Sequence, residues 1–127
     1  MAISSEVTKM KSGQSETTTY KVFAAQSADE TISDAIDAYL AKGVTLIVET
    51  GAGVNGGVVE LEGAVTADYA GTWIPLASVT TSAASKAYAD SVVVEAGTAG
   101  LPMPFIRARI STVIGVGTIN AYIVVSN

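Results

Sequence analysis

Three pairs of side chains in this sequence have types and spacings that could do chemistry. Asp34 and Asp37 stand three apart, Glu60 and Glu62 two apart, and Arg107 and Arg109, the only arginines among 127 residues, again two apart. Two carboxylates flanking a scissile bond suffice for acid–base hydrolysis of a glycoside, and clustered carboxylates can ligate Ca²⁺. Glu60 and Glu62, however, share the outward face of one alternating run, where paired glutamates are ordinarily solvated. No oxygen-rich D-x-[DN]-x-[DN]-G loop surrounds Asp34 and Asp37. The chain has neither histidine nor cysteine. That removes the Ser-His-Asp and Cys-His nucleophile systems, leaves carboxylates as the side-chain metal ligands, and rules out disulfides. The expectation is a non-enzyme with no catalytic residue, no metal and no cofactor.

Arginines two apart on a strand project from one face, and guanidinium groups favour bidentate pairing with carboxylates at interfaces. Arg107 and Arg109 either dock a partner or balance nearby acids. Together with Tyr122, on the polar face of the last alternating run, they are the candidate protein-interface residues. Gly51-Ala-Gly53-Val-Asn55-Gly56 formally reads G-x-G-x-x-G after a strand. A dinucleotide site needs that loop to open a helix, whereas the alternating Val58–Val65 follows, so the expectation is a hairpin loop with Asn55-Gly56 at its tip. Trp73, the single tryptophan, lies beside Ile74 and Leu76, a setting more typical of core than of a ligand platform.

These residues need strands to position them. Thr19–Ala25, Val44–Thr50, Val58–Val65, Thr72–Ala77 and Ser91–Gly97 read as strands, with Phe23 on the less comfortable, outward side of the first. The chain closes with Phe105–Ile114 and Thr118–Val125, two alternating runs separated by Gly115-Val116-Gly117, the spacing of a hairpin. Ile106, Ala108 and Ile110 should point inward, as should Ile119, Ala121, Ile123 and Val125. Over 28–42, Ile32, Ala35, Ile36, Tyr39 and Leu40 recur at helical spacing behind a capping-box-like Ser27-Ala-Asp-Glu30, so local rules favour a short helix. Residues 1–18 are polar and without period, an extended arm preceding a domain over 19–127. The fold class expected is all-β, a single antiparallel β-sandwich of jelly-roll or immunoglobulin-like outline.

Composition narrows the partners. With a net charge of −5 and no basic cluster, nucleic-acid binding is not expected. No stretch is long and apolar enough to span a membrane, and the N-terminus lacks the apolar core of a secretory signal. Only 15 % of the residues are charged, so some of the surface should be covered by copies of the chain or by a partner.

In order along the chain come Ile32-Ser-Asp-Ala-Ile-Asp37, the strand Val44–Val48, Val59-Glu-Leu-Glu-Gly63, Thr72-Trp-Ile-Pro-Leu76, Pro104-Phe-Ile-Arg-Ala-Arg109 and a closing alternating strand. This layout, covering residues 20–126, resembles the small β-sandwich virion proteins of tailed bacteriophages. The longer polar insertion Ser78–Asp90 departs from their pattern. The resemblance implies a capsid decoration, or cement, protein that stabilises the head shell through the major capsid protein or another virion protein. It implies a homo-oligomer, a trimer being one arrangement, located in the virion after assembly in the host cytoplasm. It also implies a strand, not a helix, over 30–38. The alternative is a carbohydrate-binding or host-recognition module of a phage tail or head fibre, with Trp73 and Tyr69, Tyr88 or Tyr122 stacking on sugar rings.

Overall fold

Alternation places every second side chain of a strand on one face, and a sequence with several such runs must bring their apolar faces together. In the computed structural model, which describes residues 2–3, 6–12, 15–28, 30–38, 41–93 and 104–126, they form two sheets packed face to face. The strands in chain order are β1 (Ala2–Ile3), β2 (Glu6–Ser12), β3 (Ser15–Gln26), β4 (Ile32–Ser33), β5 (Ile36–Asp37), β6 (Gly43–Thr50), β7 (Val58–Ala64), β8 (Ile74–Thr80), β9 (Ala87–Val93), β10 (Phe105–Thr112) and β11 (Ile119–Ser126). The first sheet runs β1-β4-β10-β7-β8, with β5 also on β10, and the second runs β2-β3-β11-β6-β9. All pairings are antiparallel except the short β1–β4 pair. The all-β sandwich expected from the sequence is what forms.

The core lies between the sheets. Ile106, Ala108 and Ile110 of β10, with Val59 and Leu61 of β7, meet Ile119, Ala121 and Ile123 of β11 and Leu46 and Val48 of β6, all buried. Each such aliphatic side chain contributes about 1.5–3 kcal/mol on burial.

The strand pairing departs from the sequence reading in several places. β10 and β11 do not form a hairpin: they lie in opposite sheets. Gly115 and Gly117, at φ 80 and 76°, turn the chain from one layer to the other. Both edges of β10 are taken by β7 and by β4 with β5, and both edges of β11 by β3 and β6. The same holds for β6 and β7, so the loop around Asn55-Gly56 is also a crossover, and its positive φ angles fall on Gly53 and Gly57. Alternation specifies which side chains face the core, and a short glycine loop serves a crossover as well as a hairpin.

The helix that local spacing favours over 28–42 is absent from the described residues of that range, and the extended chain implied over 30–38 by the resemblance is found there as β4 and β5. Glu30 takes φ 59°, outside the helical region, and the chain instead runs along the edge of β10. Glu30 N–H donates to Ile110 O, Ile110 N–H to Thr31 O, and Ala108 N–H to Ser33 Oγ. A helix would satisfy its own backbone but leave that edge without partners. Tyr39 and Leu40, part of the helical pattern, lie outside the described residues.

Phe23 is buried, against expectation, and so is its neighbour Val22. Ala121 pairs with Phe23 and Tyr122 with Lys21, which leaves Val22 as the extra residue of a bulge. A bulge lets two successive residues face the same way. The register slips again between Ile119 and Ala121, where Ala25 takes φ 51° and donates its N–H to Asn120 Oδ1 at 2.9 Å. Upstream, β2 pairs with β3 from Glu6–Lys21 to Ser12–Ser15, so most of the stretch read as a polar arm is a hairpin at the edge of the second sheet. Within the polar insertion Ser78–Asp90, β8 extends to Thr80 and β9 begins at Ala87. Residues 94–97 of the predicted Ser91–Gly97 strand lie outside the described residues.

Candidate functional site

Glu60-Leu-Glu62 on β7 and Arg107-Ala-Arg109 on β10 are triplets of equal length and opposite charge. Antiparallel pairing sets them in register, with Arg107 opposite Glu62, Arg109 opposite Glu60, and the two small or apolar middle residues together on the core side. The charged members therefore converge on the outer face of the first sheet.

Glu62 is the hub. Its side chain is only 4 % exposed, and each carboxylate oxygen accepts one arginine Nε–H, from Arg107 at 3.1 Å and from Arg109 at 2.8 Å. Arg109 also donates through Nη1 to Glu30 at 2.7 Å and through Nη2 to Glu60 at 3.0 Å. Burial disfavours the charged form of Arg109, but the hydrogen bond and charge of Glu62, with Glu30 and Glu60 adding, raise its pKa above the ordinary arginine value. Arg107 lies over the Trp73 ring, its guanidinium carbon 4.1 Å from the centroid. Trp73 is 5 % exposed, and its Nε1–H donates to Tyr69 O at 2.9 Å. The cluster thus ties together, from outside, the segment before β4, strands β10 and β7, and the residue before β8.

The two glutamates read as solvated are therefore engaged, Glu62 fully. With both oxygens taken by guanidinium donors, Glu62 is not positioned to hand a proton to a substrate. Among the described residues no group of three or more acidic side chains converges in a way that could hold a metal ion. Trp73 is buried as expected, although under Arg107 on the sheet's outer side and not within the main core. Of the three interface candidates the fold brings Arg107 and Arg109 together. Tyr122 sits across the sandwich on the outer face of the second sheet, between Lys21 and Ile47. Glu30 and Glu62 were not singled out as arginine partners from the sequence. The matched E-x-E and R-x-R spacing is the signal that points to Glu62.

Beside Trp73, the β7–β8 connection surrounds a shallow depression of about 70 Å³ lined by Gly63, Ala64, Val65, Tyr69, Thr72 and Ile74. Val65, Tyr69 and Ile74 are 59 %, 40 % and 47 % exposed. This apolar rim borders the ionic cluster.

No family model matches the sequence, and no curated protein matches it. Solved structures do match in fold. The crystal structure of SPBc2 prophage-derived protein YomS superposes with a TM-score of 0.60 over 93 % of this chain and 99 % of that one, at 7 % identity. The chain resembles YomS in fold. The K1 cleaved adhesin domain of Lys-gingipain from Porphyromonas gingivalis W83 gives a TM-score of 0.56 at 15 % identity, covering 88 % of this chain and 73 % of that one. The K3 cleaved adhesin domain of the same protein gives 0.56 at 13 % identity, with 88 % and 74 % covered. At these identities what is shared with YomS and the adhesin domains is the sandwich itself.

Proposed function

We propose that the chain is a non-enzymatic virion protein, a capsid decoration protein that stabilises the head shell through contacts with the major capsid protein or another virion protein. The observation that carries this reading is the closure of the first sheet's outer face by its own side chains. Glu62 occupies both arginines, Arg107 covers Trp73, and beside them lies the exposed apolar rim of Val65, Tyr69 and Ile74. Such a surface suits a protein contact better than a reaction or a sugar-stacking platform. Likeness in fold to a prophage-derived protein over nearly its whole length supports the same reading.

A protein that binds the assembled shell and not its free subunits stabilises the shell by mass action. The test is mass spectrometry of purified particles from the phage or prophage encoding the chain, with thermal disruption of particles made with and without it. The protein is expected in many copies per particle, and particles lacking it should disrupt at lower temperature. Particles that contain none of it would overturn the proposal.

A further inference from the structure

Asn55-Gly56, in the loop that carries the chain from β6 to β7, has a reactivity of its own. Asn55 is exposed, and among the described residues neither its carboxamide nor the N–H of Gly56 has a hydrogen-bond partner. The space around the pair is open: a Cβ on Gly56 would meet nothing within 4 Å. An asparagine Cγ can close a five-membered ring with the main-chain nitrogen of the next residue, and a glycine there puts no side chain in the way of that approach. Asn120 is the contrast within the same chain. Its Oδ1 accepts the Ala25 N–H at 2.9 Å, it lies on a strand paired on both sides, and Ala121 follows it.

We propose that Asn55 is a site of spontaneous deamidation through a succinimide formed with Gly56. Hydroxide takes the proton of the Gly56 amide, and the nitrogen forms a bond to Asn55 Cγ. The Cγ–Nδ2 bond breaks, and the side-chain nitrogen takes a proton from water and leaves as ammonia. Water then opens the ring at either carbonyl, so that overall one water is consumed and one ammonia released, with no change of oxidation state. One opening gives aspartate; the other gives isoaspartate, whose main chain runs through the former side chain and is one atom longer. Either product adds a negative charge.

The loop is held on both sides of this point. Val54 is buried, and a Cβ on Gly117 would come 2.9 Å from its methyl. On the other side Gly56 O accepts from Thr81 Oγ1 at 2.8 Å and Gly57 O from Thr81 N–H at 3.0 Å, and Thr81 is fully buried. An extra main-chain atom between these anchors must displace one of them. Isoaspartate therefore loosens the crossing between the sheets, whereas an exposed aspartate leaves it in place. The inference does not rest on the virion role, since it concerns the chain alone.

The test incubates the purified chain in mildly alkaline buffer at body temperature for several weeks, with samples taken for peptide mapping. The peptide holding Asn55 should gain the mass difference between an amide and an acid and divide into aspartyl and isoaspartyl forms, while the peptide holding Asn120 stays unchanged. Gly56→Ala puts its Cβ into open space at a φ outside the left-handed region, so the variant should fold as the wild type does. It should nevertheless slow conversion at least about tenfold, because the methyl hinders ring closure. Circular dichroism checks that it is folded. The isoaspartyl form, separated by chromatography, should melt at least about 3 °C below Asn55→Asp, which should melt with the wild type. A wild-type chain unchanged at Asn55, conversion of Asn120 at the same rate, or Gly56→Ala converting as fast as the wild type overturns the site. An isoaspartyl form as stable as Asn55→Asp overturns the loosening of the crossing.

Discussion

Arg107 and Trp73 are stacked, the guanidinium carbon 4.1 Å from the centre of the indole, and that contact turns the single tryptophan into a reporter of the outer face. Cation–π contacts of this kind contribute about 0.5–2 kcal/mol, the upper end when desolvated. Native emission should be blue-shifted and poorly quenched by acrylamide. Arg107→Ala should shift it to the red, raise quenching, and cost about 1–2 kcal/mol in urea unfolding. Added glycans should leave the wild-type spectrum unchanged, and a saturable shift would instead point to the carbohydrate-binding alternative.

Glu62→Gln should cost about 3 kcal/mol by the same unfolding measurement, because two partly buried arginine Nε–H groups lose the charged acceptor they share. Glu30→Gln, on a side chain 68 % exposed, should cost no more than about 0.5 kcal/mol although its contact to Arg109 at 2.7 Å is the shorter. Burial, not distance, orders the two effects. Equal losses would show that the ionic cluster is not organised around Glu62.

The crossover between the sheets makes a sharp comparison of two glycines two positions apart. A Cβ on Gly117 would come 2.6 Å from Ala52 O and 2.9 Å from a Val54 methyl, at φ 76°. A Cβ on Gly115 meets nothing within 4 Å at φ 80°. Gly115→Ala should therefore cost only the strain of the left-handed backbone, about 1 kcal/mol. Gly117→Ala should cost about 3 kcal/mol or more, since backbone must move as well. Thermal denaturation of the two variants side by side reads the difference.

Phe23→Ala should destabilise by about 3–5 kcal/mol, the range for a fully buried phenylalanine. Lys21→Ala, two positions away on the outer face, should fall within about 0.5 kcal/mol of wild type. A regular strand would give Phe23 and Lys21 the same face and similar, small effects. The contrast in chemical denaturation is thus a direct check on the bulge at Val22.

What could be read from the sequence and what could not divide along physical lines. The inward residues of β10 and β11 were legible, because a period of two follows from the geometry of one strand. Their partners were not, because a glycine loop of a given length permits a hairpin or a crossover and only long-range packing decides. Over 28–42 the spacing of Ile32, Ala35 and Ile36 suits a helix, but the open edge of β10 rewards an extended chain, and that edge is more than sixty residues away. Arg107 and Arg109 stood out by their rarity. Their partner Glu62 became visible once β7 and β10 were paired, and its burial overturned the reading of a solvated glutamate.

The place of β11 has a consequence for synthesis on the ribosome. This strand is the centre of the second sheet, bonded on one side to β3 and on the other to β6. Until residues 119–126 have emerged, a nascent chain holds β3 and β6 apart with two unfilled edges and a core lacking Ile119, Ala121 and Ile123. The second sheet therefore closes only once residues 119–126 have been translated, and deleting them removes the middle of a sheet.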